Sequence, residues 1–112
     1  MQPPDRIRLQ DMLDCARRAH EFASAVTTDA FRTDDMRNLA CARCLEILGE
    51  AASKVGPDVR ESLPEIPWAT LRGMRNVLVH DYGRVDVGIV WTTATRDLPP
   101  LIARLEDLLS ST

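Results

Sequence analysis

Apolar residues in the first quarter of this chain recur at intervals of three and four. Leu9, Met12, Leu13, Ala16, Ala19, Ala23 and Val26 follow the period of an α-helix rather than the alternation of a half-buried strand. The stripe predicts one long amphipathic helix from about Asp5 to Val26, with Pro3 and Pro4 stopping it from extending backwards. The same spacing returns at Leu39, Leu45, Leu48, Ala52 and Val55, which predicts a second helix from about Asp34 to Val55. Acids in its first turn suit the positive end of the helix dipole. Gly56-Pro57 reads as a C-cap glycine followed by a residue that cannot continue the helix.

Cap chemistry divides the rest. Thr27-Thr28-Asp29 and Thr33-Asp34-Asp35 are both capping clusters, leaving room for one short helical turn between them. Residues 57–66 form a connector with room for another. Pro67 suits the first turn of a third long helix, Trp68 to about His80, and Asp81-Tyr82-Gly83-Arg84 reads as a turn. Asp86 is placed to N-cap the last helix, with Val85 and Val90 in the two positions of a hydrophobic staple. That helix runs to about Leu109, and Pro99-Pro100 should kink or split it. The β-prone run Val77-Leu78-Val79 is short and lies in a helical pattern, so no strand is expected. The expected fold is all-α: a single domain, residues 1–112, folded as an antiparallel four-helix bundle with short additional helical turns.

Composition narrows the function. Aromatic residues make up only 4 % of the chain, so Leu, Ala, Val and Ile must fill the core. Gly49 and Gly73 lie inside alanine-rich helices, which allows close helix approach within the monomer or across a two-fold axis. No apolar run approaches the ~20 residues that span a bilayer, and the first residues lack a signal-peptide pattern, so a cytoplasmic protein is expected. Three cysteines in such a chain argue for reduced thiols rather than a disulfide framework. The net charge of −3 argues against a broad phosphate-binding surface, so any RNA contact must be local.

One segment carries chemistry. Arg75-Asn76-Val77-Leu78-Val79-His80-Asp81-Tyr82 holds one of the two histidines and the only tyrosine. Arg72, Arg75 and Arg84 give it a small basic bias against Asp81 and Asp86. Histidine has a pKa suited to proton transfer near neutrality, and arginine presents a charged fork that matches phosphate oxygens. On a continuous helix, residues 75 and 80 lie about 140° apart, so one arginine and one histidine would not meet. Either the helix ends before His80, or two copies meet across a symmetric dimer, each supplying part of a shared site.

The segment reads Arg-x-x-x-x-His-x-Tyr, and around it stand Ile66-Pro67-Trp68, Gly73-Met74-Arg75-Asn76, Val85-Asp86 and Val90-Trp91. Upstream lie Leu45-Glu46-Ile47-Leu48-Gly49-Glu50-Ala51-Ala52 and Leu9-x-x-Met12-Leu13. Taken together, these resemble the HepT family: HEPN-type ribonuclease toxins paired with a minimal nucleotidyltransferase (MNT) antitoxin. The resemblance implies an all-helical homodimer with its ribonuclease centre between protomers. It maps Arg75 and His80 onto the family's catalytic pair and Asn76 onto the polar position that supports them, with Arg72 beside it. It also implies a metal-independent endoribonuclease toxin of a type VII-like pair, with no cofactor, silenced when the cognate MNT antitoxin adenylylates Tyr82. The alternative is a non-catalytic helical module that presents Tyr82 to a nucleotidyltransferase, with His80 shaping the pocket.

Bland readings cover the remaining candidates. Glu46 and Glu50 share a charged face with Arg43 and Lys54, and could instead orient Arg72 or Arg75. Cys41-Ala-Arg-Cys44 lacks the four ligands of a zinc site and reads as core or near-core, so no metal is expected. His20 is expected at the surface, and Trp68 and Trp91 as packing anchors beside the motif helix.

Overall fold

The computed structural model describes the backbone of residues 1–77, 79–80 and 84–110, and the side chains of residues 1–74 and 85–110. Helix α1 (Pro3–Ser24) starts two residues earlier than its apolar period suggests, with prolines in its first positions. A first-turn N–H has no partner inside a helix, so proline loses nothing there. Thr27 caps the short α2 (Thr28–Thr33), its hydroxyl accepting from the Ala30 N–H at 3.2 Å. Asp34 caps α3 (Asp35–Ser53): its carboxylate accepts from the Arg37 N–H at 3.0 Å and from Arg37 Nε at 3.2 Å.

Gly56 departs from its expected role. Its φ is −63°, extended rather than left-handed, and it is the N-cap of α4 (Pro57–Ser62), while Lys54 closes α3. The glycine N–H donates to Asp5 Oδ1 at 2.8 Å, which ties the start of α4 to the start of α1.

Helix α5 (Trp68–Val77) ends three residues short of His80. The chain then forms a small antiparallel ribbon, β1 (Val79–His80) against β2 (Arg84–Val85), with Val79 opposite Val85 and His80 opposite Arg84. The expectation of no strand is therefore corrected. β-Branched valines favour extended backbone, and the nearby partner segment supplies the ladder that a lone run lacks. Asp86 caps α6 (Val87–Thr92) as expected, accepting from the Ile89 N–H at 3.1 Å. A π-helical turn (Thr93–Asp97) joins α6 to α7 (Leu98–Ser110) just ahead of Pro99 and Pro100. The two prolines remove the donors that would continue an ordinary α-ladder, and the helix widens there.

The core forms where α1 meets α3. Leu9, Met12, Ala16, Ala19 and Ala23 face Cys41, Leu45, Leu48 and Ala52, all fully or almost fully buried. The two helices run antiparallel in a register fixed by polar contacts. Asp5 meets Gly56, Cys41 Sγ donates to the Ala19 carbonyl at 3.4 Å, and Arg37 Nη1 donates to the Phe22 carbonyl at 3.0 Å. On its other flank α1 takes α7: Arg6 Nη2 donates to the Leu109 carbonyl at 3.0 Å and Arg17 pairs with Glu106 at 2.7 Å. Helix α5 packs along α3. Among the described residues, the regular structure is helical except for the ribbon.

One assignment in the α3 stripe changes. Leu39, expected inward, is 54 % exposed, and Asn38 takes the buried place, its amide donating to the Phe31 carbonyl at 3.1 Å. That bond closes the end of the core over the fully buried Phe31. Leu48→Ala should cost about 2–5 kcal/mol through the cavity it leaves. Leu39→Ala should stay within about 0.5 kcal/mol, as an exposed substitution. Urea denaturation of both variants separates the two positions.

Candidate functional site

Helix α5 delivers the Arg75–Tyr82 segment. Leu71 and Met74 are buried, Arg72 is exposed, and Trp68 anchors the helix start by donating its indole N–H to the Leu63 carbonyl at 3.0 Å. Arg75 and Asn76 occupy the last turn, one residue from the helix end at Val77. His80 then lies in the ribbon, in register with Arg84. The helix thus ends before the histidine, and the 140° offset of a continuous helix does not apply to this pair. The side chains of Arg75, Asn76, His80 and Arg84, and all of Tyr82, lie outside the described residues.

Two depressions flank this segment. The first, about 610 Å³, is lined by Thr28, Arg32, Asp86, Gly88, Trp91 and Asp97 among others. It opens beside the residue that follows the ribbon, and the Arg32 guanidinium comes within 3.6 Å of the position a Cβ on Gly88 would take. Sequence reading missed Arg32: it sits on a six-residue helix far upstream, with no pattern linking it to the motif. The second depression, about 440 Å³, lies between α5 and α7, with Pro67, Leu71, Met74, Arg96, Leu98 and Leu101 among its lining residues. Its wall is the turn of α5 that leads into Arg75.

The other candidates resolve individually. Glu46 accepts from Arg43 Nη1 at 3.2 Å in an exposed pair along α3, matching the charged-face reading. Glu50 is exposed on the same helix. Trp91 is half-buried and donates to the Ala23 carbonyl at 3.2 Å, a packing anchor like Trp68. Cys41 is buried, and burial pushes its thiol up to about 12; Cys15 and Cys44 are half-buried and free. Among the described residues, no group of three or more His, Cys, Asp and Glu is placed to hold a metal ion. No helix among them is long and apolar enough to cross a membrane.

His20 is not a surface residue. It is half-buried, and its Nδ1 lies 2.9 Å from the Ala94 carbonyl, so Nδ1 carries the proton and donates. The π-turn explains why that carbonyl needs a partner. The Leu98 N–H, its normal α-helical donor, goes instead to Thr93, and the next donor along would be Pro99, which has none. His20 therefore satisfies an orphan carbonyl and ties α1 to the α6–α7 junction.

Comparison with known proteins identifies the family. The profile of the HepT-like ribonuclease family matches residues 12–108. The chain belongs to that family. It is 35 % identical over 100 residues to the "Probable ribonuclease HepT" of Thermococcus cleftensis, covering 89 % of this chain and 91 % of that protein. A protein of Methanocaldococcus jannaschii named "Putative RNase" is 34 % identical over 98 residues, 88 % of this chain and 90 % of its own. Another so designated, from Caldanaerobacter subterraneus, is 32 % identical over 89 residues, 80 % of each. No solved structure gives a significant match.

The His20 contact makes a specific prediction for this HepT-like chain. His20→Ala should destabilise by about 1–3 kcal/mol, leaving a part-buried carbonyl unpaired. Pro99→Ala in that background should recover part of the loss by restoring a backbone donor. Thermal unfolding of the single and double variants reads the difference.

Proposed function

We propose that this HepT-like chain is a metal-independent endoribonuclease toxin, with His80 moving protons and Arg75 holding the scissile phosphate. The observation that carries the reading is the complete Arg-x-x-x-x-His-x-Tyr segment inside a family match over residues 12–108. Cleavage of RNA by its own 2′-hydroxyl forms a bond from O2′ to phosphorus and breaks the bond to O5′. A base must take the 2′-proton, and an acid must protonate the leaving oxygen. Histidine can do either at neutral pH, and arginine stabilises the negative charge that builds on phosphorus.

One chain supplies one motif histidine, so two copies would divide the base and acid roles in a homodimer with the centre between them. The end of α5 at Val77 supports the single-chain half of this scheme, because residue 80 is released from the helical spacing of residue 75. Asn76 and Arg72 occupy supporting positions on the last turns of that helix. Glu46 and Glu50, on the neighbouring helix α3, would orient the motif arginines in this reading, Glu46 while also accepting from Arg43.

Regulation in this reading falls on Tyr82. A cognate MNT antitoxin would transfer AMP from ATP to the phenol oxygen, releasing pyrophosphate. The added phosphate would stand two residues from His80 and exclude the substrate phosphate by bulk and like charge. The net charge of −3 favours a second reading, a non-catalytic module that presents Tyr82 to the nucleotidyltransferase. Growth arrest on expression without the antitoxin supports the toxin; harmless expression of soluble protein supports the module.

The decisive measurement uses purified, unmodified protein with RNA in excess chelator. Wild type should cleave, while Arg75→Ala and His80→Ala should each lose about 10²-fold or more in rate. Retained cleavage by His80→Ala would remove it from the mechanism. Tyr82→Phe should still cleave and should gain no AMP mass when made with the antitoxin.

A further inference from the structure

We infer that Cys15 and Cys44 form a dithiol across the outer seam of α1 and α3, a site that low-molecular-weight disulfides oxidise to an interhelical disulfide. The helix register places them level. Asp5 meets Gly56, Ala19 meets Cys41, and Phe22 meets Arg37, so each step forward on α3 is a step back on α1. Cys44 lies three residues beyond Cys41, which brings it to the level of Cys15 and Ala16.

Both cysteines also face the same side of the seam. Phe22 and Ala40 line one surface depression together with Arg37. Cys15 lies seven residues before Phe22 on the stripe of α1, and Cys44 four residues after Ala40 on the stripe of α3. Each is half-buried, between buried neighbours such as Ala16 and Leu45 and exposed ones such as Arg18 and Arg43. Cys41, by contrast, is fully buried with its Sγ committed to the Ala19 carbonyl. The small residues that line this interface let the two helices approach closely, as a disulfide requires.

The electrostatics put Cys44 close to Cys15 on the facing helix, as well as to Cys41 one turn back on its own. Burial raises both thiols, the charge of Cys44 further raises Cys15, and Arg18 lowers both. Asp11 and Asp14 add to the rise at Cys15. The thiols therefore stay protonated at neutral pH, and the rate of linking should climb as the solution becomes more alkaline. In the reaction, one thiolate attacks a sulfur of glutathione disulfide, forming a mixed disulfide and expelling one glutathione thiolate. The second thiolate then attacks the protein sulfur of the mixed disulfide and expels the other. Two protein thiols are oxidised and one glutathione disulfide is reduced to two glutathiones.

Trypsin separates the three cysteines cleanly: Cys15 on residues 9–17, Cys41 on 38–43 and Cys44 on 44–54. The reduced full-length protein is incubated with glutathione disulfide across a pH series, quenched with acid and analysed by intact mass and peptide mapping. The expected result is a monomer lighter by two hydrogens, with peptide 9–17 joined to 44–54 and faster linking at higher pH. Cys41→Ala should keep the link, while Cys15→Ser should stop at the glutathione adduct. The linked protein should melt about 5 °C or more above the reduced form, an increase that dithiothreitol reverses. A 38–43 to 44–54 link, an intermolecular link, adducts without closure in wild type, or an intramolecular link in Cys15→Ser would each overturn the assignment.

Discussion

Antiparallel packing of α1 on α3 is the contact from which the other elements take their places. Alanines at residues 16, 19 and 23 let the helices approach closely, while Leu45 and Leu48 fill the remaining space. Burying each such leucine is worth about 1.5–3 kcal/mol, so this seam carries much of the stability. Helix α7 then packs on α1, and α5 packs on α3 with a depression between it and α7. The motif segment thus hangs from a helix whose main support is α3. A change in how α1 holds α3 would reach the end of α5 through one layer of side chains.

Features governed by local chemistry were legible in the sequence. The caps at Thr27, Asp34 and Asp86 follow from short oxygen-bearing side chains before apolar stripes, and each makes its expected bond. The inward stripe of α1 follows from helical period alone. Features set by tertiary partners were not legible. Gly-Pro usually ends a helix, but at Gly56 the Asp5 carboxylate recruits the N–H from a distant segment. Leu39 fits the period yet lies outside, because Asn38 is drawn inward by the Phe31 carbonyl. The ribbon at Val79–His80 exists only through its pairing with Arg84–Val85, and a run that short carries no readable alternation.

The site shows the same division. Residue types and spacing in the Arg75–Tyr82 segment expose the chemistry at once, since few segments place a guanidinium, an imidazole and a phenol so close together. Where the helix stops, at Val77, is not encoded by that spacing. Arg32 belongs to the same limit: it reaches the cleft beside Asp86 from a helix more than fifty residues upstream. A surface histidine and one that, like His20, serves a carbonyl freed by a distant proline look alike in sequence.

The π-turn at Thr93–Asp97 has a consequence for helical phase. Val90, Ala94 and Leu98 are all buried and spaced by four, and in an ordinary α-helix each such step overshoots a full rotation by about 40°. Two overshoots in a row would swing the Leu101–Leu105–Leu109 row away from α1. The wider turn absorbs that excess rotation, so the final helix begins with its apolar side already aimed at the core. Closing this turn as an ordinary α-helix at unchanged length would rotate the whole C-terminal helix out of alignment with its neighbour.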